Sequence, residues 1–120
     1  MSHKVQTKFK VTDINTAKRA CAKLGYEISQ KGEFVLWGQK RERCDYTITI
    51  PGQRMELGLT QEKNGSYRLE YDHMLQKRGV EDFCVGYSLQ AIEDEQITAG
   101  FEIVSDTETE EEIILELEIL

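Results

Sequence analysis

The tryptophan at position 37 stands beside a short basic segment, and this pairing is the part of the sequence best suited to binding. Trp37 ends the apolar run 34–37, and Lys40, Arg41 and Arg43 follow within six residues. Trp and Arg are enriched at the energetic centres of protein interfaces, and cations beside an aromatic ring also suit an anion pocket. The sequence therefore predicts a partner-binding or ligand-binding site at Trp37, Lys40, Arg41 and Arg43.

A purely structural role of Trp37 and the basic residues explains the sequence equally well. A lone tryptophan often covers the edge of a core, and the segment 38–43, which is predicted to be a basic loop, can serve solubility alone. The run Phe34-Val35-Leu36-Trp37 is apolar at consecutive positions, so a sheet with one buried face cannot bury all of it. Both interpretations of Trp37 stay open.

Motifs for catalysis, cofactors and metals are absent from the sequence. It has no phosphate-binding glycine loop and no Cys/His pair at zinc spacing. Asp72-His73 could form a carboxylate–imidazole pair, but neighbours in sequence rarely make a catalytic dyad. The run 106–112 has carboxylates, but not the spacing of a known calcium loop, and is predicted to be a solvated hairpin turn. We expect no catalytic residue, no metal site and no cofactor.

The charge of the chain is unevenly distributed along its length. The 120 residues carry a net charge of −7, but residues 1–60 hold eleven Lys/Arg against six Asp/Glu, whereas residues 61–120 hold four against sixteen. Residues 1–60 therefore carry a net charge of +5, and residues 61–120 carry a net charge of −12. We favour attraction between the halves within one fold. The alternative is a pair of opposite patches that support head-to-tail association or two different partners.

Length and composition predict one domain, residues 1–120, in a cytoplasmic protein. No apolar run approaches the ~20 residues of a membrane span, so we expect no membrane partner. The three cysteines, Cys21, Cys44 and Cys84, are far apart in the sequence. Their odd number and wide spacing favour a reducing cytosol over a disulfide framework.

Hydrophobic periodicity predicts two helices, at 14–24 and at about 81–99, among several strands. Asp13 is suited to cap the start of the first helix. A similar phrase follows each helix: Gly25-Tyr26-Glu27-Ile28 and Gly100-Phe101-Glu102-Ile103. Each glycine is suited to the left-handed residue that ends a helix. Strands are predicted at 5–11, 26–29, 34–37, 46–50, 55–59, 67–71, 101–104 and 113–119.

These elements predict an α+β fold built from two β-α-β-β pseudo-repeats. We expect a two-layer sandwich in which a largely antiparallel sheet of about seven strands carries both helices on one face. The other face is expected to contact solvent. Its charge is mixed and it lacks the aromatic residues on which RNA bases stack, which argues against nucleic acid as a partner.

Several segments together resemble a known family. They are Met1-Ser2-His3, Leu24-Gly25-Tyr26-Glu27, the hairpin from Gly58-Leu59 to Asn64-Gly65-Ser66-Tyr67-Arg68-Leu69, and Tyr87 with Gly100-Phe101 before an acidic hairpin. Over nearly its whole length the chain resembles the "domain of unknown function 1257" family, which includes the plastid hypothetical reading frame 35 proteins of algae and cyanobacteria. The family has no established activity. The resemblance implies a small stand-alone domain and an accessory role beside an AAA-type ATPase system.

From the sequence we predict a non-enzymatic protein-interaction or adaptor module that binds a protein partner or associates with itself. The alternative is a binder of a small anionic ligand, such as a nucleotide, through Trp37 and 40–43. An enzyme has the least support, because no nucleophile–base pair and no metal set is visible.

Overall fold

The computed structural model describes residues 4–99, with the side chains of residues 4–95. The predicted strands 101–104 and 113–119 and Gly100, which complete the second pseudo-repeat, lie outside the described residues. The elements within this range are β1 (Lys4–Val11), α1 (Ile14–Leu24), β2 (Glu27–Ser29), β3 (Glu33–Val35), β4 (Arg41–Arg43), β5 (Tyr46–Thr49), β6 (Leu57–Gln61), β7 (Tyr67–Asp72) and α2 (Lys77–Ala99).

The strands form a five-stranded sheet and a separate two-stranded hairpin. The sheet has the order β1-β7-β6-β5-β2, and the hairpin consists of β3 and β4. Every strand pair is antiparallel. The α+β class and the antiparallel sheet are therefore confirmed, while the strands of the described residues divide between two sheets. Residues 41–43 were predicted as a loop and form β4, and α2 begins at Lys77, four residues before the expected start.

Both helices pack on the same face of the sheet. Apolar residues at alternate strand positions meet the apolar sides of α1 and α2 there, as the periodicity predicts. Phe9 lies edge-to-face against Tyr87, with ring centroids 5.7 Å apart. Within the described residues, neither helix combines the length and apolarity needed to cross a membrane. The buried core comprises Val11, Ala17, Ala20, Cys21, Ile48, Ile50, Leu57, Leu59, Leu69, Leu75, Val80, Phe83 and Tyr87.

Helix α1 begins and ends at the residues that the sequence predicts. The Asp13 side chain accepts hydrogen bonds from the backbone N–H groups of Asn15 and Thr16, at 2.9 and 3.4 Å. At the other end Gly25 has a φ of 78°. A left-handed residue costs little for glycine, which has no Cβ, and it turns the chain into the next strand.

The second face of the sheet is covered by the β3–β4 hairpin, so the expectation of a solvent-exposed face is wrong for its centre. Thr47 and Asp72 are fully buried there, and Glu70 is 1% exposed. Phe34 of β3 lies directly over Gly58 of β6: a Cβ at Gly58 would come within 2.4 Å of the Phe34 ring. The missing side chain at Gly58 therefore gives the hairpin its place on the sheet.

Ion pairs join the basic first half of the chain to the acidic second half. Lys23 of α1 contacts Glu93 of α2 at 2.6 Å, and Arg19 pairs with Asp94 one turn away. Thr16 also donates to Asp94, at 2.8 Å. These contacts agree with the interpretation that the two halves attract each other within one fold.

The Arg19–Asp94 pair makes stability depend on pH in acid. The hydrogen bond from Arg19 is the largest of several effects that lower the pKa of Asp94 from 3.8 to about 2. A carboxyl group whose pKa is lower in the folded protein than in the unfolded chain stabilises the fold at pH values above its unfolded pKa. This stabilisation is lost as the pH falls from about 4 to about 2.

We predict that Asp94→Asn weakens the pH dependence of the free energy of unfolding in this window, measured by urea denaturation. The control Glu81→Gln, an exposed carboxylate of α2, should keep the wild-type slope. Equal slopes for wild type and Asp94→Asn would contradict the assignment.

Candidate functional site

Trp37 and Met74 form an exposed apolar corner, and one buried carboxylate holds them together. In the part of the chain that the structure describes, they are the large apolar side chains that remain about half exposed, at 50% and 49%. Their backbone N–H groups donate to the two oxygens of Asp72, each at 2.9 Å. Because both acceptors belong to one carboxylate, the segments that carry Trp37 and Met74 lie side by side.

A second buried carboxylate fixes β3 two residues before Trp37. Glu56 accepts a hydrogen bond from the Val35 N–H at 3.1 Å, and its own N–H donates to the Val35 carbonyl at 2.9 Å. Its other oxygen accepts from the Thr49 hydroxyl at 2.8 Å and lies 3.6 Å from the Lys31 ammonium. A buried carboxylate is tolerated when it is hydrogen-bonded and paired in this way. Glu56 and Asp72 thus hold the hairpin through its backbone.

A third buried carboxylate, Glu70, lies under the hairpin without bonding to its backbone. One oxygen accepts from the Thr60 hydroxyl at 2.9 Å. The other lies 3.1 Å from the Lys4 ammonium and 3.5 Å from the Arg68 guanidinium, although neither contact has hydrogen-bond geometry. Lys4 also pairs with Glu42 of β4 at 2.7 Å, so its charge links the sheet to the hairpin.

The turn between β3 and β4 directs Trp37 away from the sheet. Leu36 is buried beneath the turn, and its N–H donates to the Lys40 carbonyl at 2.7 Å. Gly38 and Gln39 both have positive φ, 72° and 64°. A non-glycine residue in this region is uncommon and strained, so the surrounding contacts must hold Gln39 there.

A groove of about 1110 Å³ separates this turn from the loop 52–55. Val35, Trp37 and Arg41 line one side, and Arg54 and Met55 line the other. The lining is mainly apolar, with two guanidinium groups. Such a groove can take an apolar side chain beside a carboxylate or phosphate.

The structure brings two of the four predicted site residues into the groove and leaves two outside it. Trp37 and Arg41 line it, whereas Lys40 and Arg43 are exposed nearby and do not. Arg41 and Arg43 share the outward face of β4, opposite Val35 and Glu33 in the register. Arg41 approaches the carboxylate of Glu33 at 3.9 Å.

Sequence reasoning missed Arg54, Met74 and the two carboxylates that organise the site. Arg54 and Met74 belong to segments far from Trp37 in sequence, and their proximity depends on the hairpin docking. Met74 did carry a signal, since it is a large apolar residue in the turn that follows β7. Asp72 and Glu56 carried no sequence signal of a buried role, because strand alternation places them on the face of the sheet that was expected to contact solvent.

Groups that could do chemistry are poorly placed for it. Burial raises the pKa of Cys21 and of Cys84 to about 12, and it also raises the pKa of the Cys44 thiol, which reduces their reactivity at neutral pH. His73 Nδ1 lies 3.5 Å from Asp72, but both oxygens of that carboxylate already accept backbone hydrogen bonds. Among the described residues, no group of three His, Cys, Asp or Glu side chains could hold a metal ion.

Comparison of the chain with protein-family models, with curated proteins and with solved structures finds no match. The resemblance to the "domain of unknown function 1257" family stays a prediction. We therefore infer the function of this chain from the geometry of the site.

The double acceptor role of Asp72 gives a test of the site's construction. In Asp72→Asn only the side-chain oxygen can still accept a hydrogen bond. One of the two backbone N–H groups, that of Trp37 or that of Met74, therefore loses its acceptor. An unsatisfied buried donor costs about 1–3 kcal/mol. We predict a loss of unfolding free energy in this range by urea denaturation, with faster amide exchange at Trp37 or Met74.

The matched control for this prediction is Asp45→Asn. Asp45 is exposed and accepts one backbone hydrogen bond, from Gln61. Because solvent can replace that bond, its loss of stability should be smaller. Equal losses in the two variants would show that Asp72 does not organise the corner.

Proposed function

We propose that this chain is a non-enzymatic protein-interaction module, an adaptor that acts in the cytoplasm by binding a protein partner or a second copy of itself. The observation that supports this most strongly is the exposed pair Trp37 and Met74, held side by side by the buried carboxylate of Asp72. The resemblance to the family adds an AAA-type ATPase system as a candidate source of the partner.

Preorganisation makes this corner suited to binding. Trp side chains bury about 150–250 Å² each and are enriched among interface hot spots. The backbone of Trp37 is already fixed by Asp72, and that of Val35 by Glu56. Binding therefore loses less conformational entropy than it would from a free loop. The groove beside Trp37 adds a recess that can receive a side chain of the partner.

The test compares partner binding by wild type, Trp37→Ala and Met74→Ala. Proteins retained from an extract of the native host are identified, and the affinity of the purified candidate is then measured. If the corner is an interface hot spot, Trp37→Ala should weaken binding by about 2 kcal/mol or more, about 30-fold.

Lys63→Ala, an exposed residue in the turn between β6 and β7, is the control and should keep wild-type affinity. All three variants must first show wild-type unfolding, so that a binding defect is not a folding defect. A partner bound equally by wild type and Trp37→Ala would contradict the assignment of the corner as the interface.

A small anionic ligand is the second candidate, favoured by the two guanidinium groups that line the groove beside Trp37. The ligand would contact Arg41 and Arg54 with its charge and Trp37 with its apolar part. A ligand at 100 times its Kd stabilises the folded state by about 2.7 kcal/mol. A thermal-shift screen with nucleotides and inorganic phosphate, repeated on Arg54→Ala, tests this function. Unchanged thermal stability at millimolar ligand would remove it.

A further inference from the structure

The loop that carries Arg54, which forms one wall of the groove, is fixed at both ends. At its start the Gln53 N–H donates to the Ile50 carbonyl at 3.1 Å. Pro51-Gly52 stands between them, and the glycine has a φ of 80°, as a type II turn requires. At its end Glu56 exchanges two hydrogen bonds with the backbone of β3. This wall of the groove is therefore preorganised.

A hydrogen bond joins the same loop to the turn that carries Met74. The side-chain amide of Gln53 donates to the amide oxygen of Gln76 at 3.2 Å. Gln53 and Trp37 both line the groove. The groove and the exposed corner of Trp37 and Met74 are therefore parts of one continuous surface, and a partner that covers the corner can place a side chain in the groove.

The charge at the groove is positive and only weakly neutralised. Arg41 and Arg54 lie on opposite sides, and no Asp or Glu is among the described residues that line it. Arg41 approaches Glu33 at 3.9 Å, and the Arg41 side chain is 63% exposed. Arg54 makes no ion pair with any residue that the structure describes. The groove therefore attracts an anionic group beside its apolar surface.

The size of the groove favours a peptide over a small ligand. Its volume of about 1110 Å³ exceeds the range of about 300–1,000 Å³ that is typical of small-molecule pockets. Extended peptides place alternate side chains in pockets of their receptors and bond through their backbone. The exposed amide of Gln39, which also lines the groove, can donate to and accept from a peptide backbone.

We propose that the groove binds an extended segment of a protein partner in which a large apolar residue is flanked by Asp or Glu. The apolar side chain packs between Trp37 and Met55, and the flanking carboxylates pair with Arg41 and Arg54. Guanidinium–carboxylate pairs are often bidentate, so they fix the orientation of the segment as well as strengthening its binding. This inference rests on the proposed function and states the chemistry of the partner.

The first test selects binders from random peptides displayed on phage, with the full chain as the target and tryptophan left out of the library. We expect the enriched peptides to share an apolar residue with Asp or Glu within two positions of it. The variant Arg41→Glu/Arg54→Glu should not enrich these sequences. No enrichment by the wild type, enrichment of peptides without acidic residues, or equal enrichment by the variant would overturn the proposal.

The fluorescence of Trp37 reports directly on occupation of the groove, because it is the one tryptophan of the chain. A synthetic peptide of the enriched sequence should change this emission in a saturable way as the indole is covered. Its affinity should fall as salt rises, since the range of the charges shortens from about 30 Å at about 0.01 M to about 3 Å at about 1 M. Binding that leaves the emission unchanged, or that is unaffected by salt, would contradict the assignment.

Charge reversal identifies the contacts. Arg41→Glu/Arg54→Glu should weaken binding of the synthetic peptide about 30-fold or more, because like charges then face each other. The same peptide with Lys in place of each Asp or Glu should bind this variant better than it binds the wild type. Wild-type affinity of the variant for the acidic peptide, or no preference of the variant for the Lys peptide, would overturn the proposal.

The matched control is Lys8→Glu/Lys63→Glu, which makes the same change in net charge at exposed residues outside the groove. It should keep the wild-type affinity for the acidic peptide, and a loss as large as that of the site variant would show that only net charge matters. Both variants are compared by urea denaturation before binding is measured. If charge reversal lowers stability, Arg54→Gln replaces it and should still weaken binding.

The proposed function and this inference can fail separately. If no peptide is selected but a protein partner depends on Trp37, the inference is wrong and the interaction function stands. If peptides bind through Arg41 and Arg54 but the partner binds Trp37→Ala as well as wild type, the inference stands and the corner is not the partner's interface. Stabilisation by a nucleotide without any selected peptide would assign the groove to a small ligand and overturn the inference.

Discussion

The docking of the β3–β4 hairpin on the polar face of the sheet is the interaction on which the rest of the site depends. Phe34 fills the space above Gly58, and two buried carboxylates accept the N–H groups of Val35 and Trp37. Neither part suffices alone, since apolar contact is non-directional and a buried carboxylate without partners is costly. Together they fix the register of the hairpin on the sheet and hence the position of Trp37.

The helical side of the sheet supplies the stable platform for that docking. Its core is continuous from Val11 to Tyr87 and buries the apolar sides of both helices. The basic exposed side of α1 meets the acidic exposed side of α2, so part of the charge asymmetry is satisfied inside the molecule. The exposed Arg41 of β4 is not neutralised to the same degree, because it meets Glu33 at 3.9 Å, the limit of an ion pair.

Strand alternation and helix capping were readable from the sequence, but the docking of one sheet on another was not. The ends of α1 at Asp13 and Gly25 follow from local chemistry. The hairpin position depends on Gly58, whose role is the absence of a side chain and gives no periodic signal. Asp72 and Glu56 occupy alternate positions typical of exposed residues, although the hairpin buries them.

The candidate site was predicted only in part, because some of its residues are neighbours in sequence and others meet only in the folded structure. Trp37 and Arg41 are close in sequence, and an aromatic residue beside cations is a local signal. Arg54 and Met74 join them through tertiary contacts that no local pattern encodes. Lys40 and Arg43 were grouped with Trp37 by proximity in sequence, but neither lines the groove. Arg43 shares the outward face of β4 with Arg41 and lies two residues farther along the strand.

Amide hydrogen exchange in Gly58→Ala tests whether the contact between Phe34 and Gly58 holds the hairpin on the sheet. A Cβ at this position would come within 2.4 Å of the Phe34 ring and must displace the hairpin. We expect faster exchange at the amides of Val35 and Trp37, while Ala20 in α1, on the other face of the sheet, keeps its wild-type protection. Unchanged exchange at Val35 and Trp37, or an equal acceleration at Ala20, would contradict it.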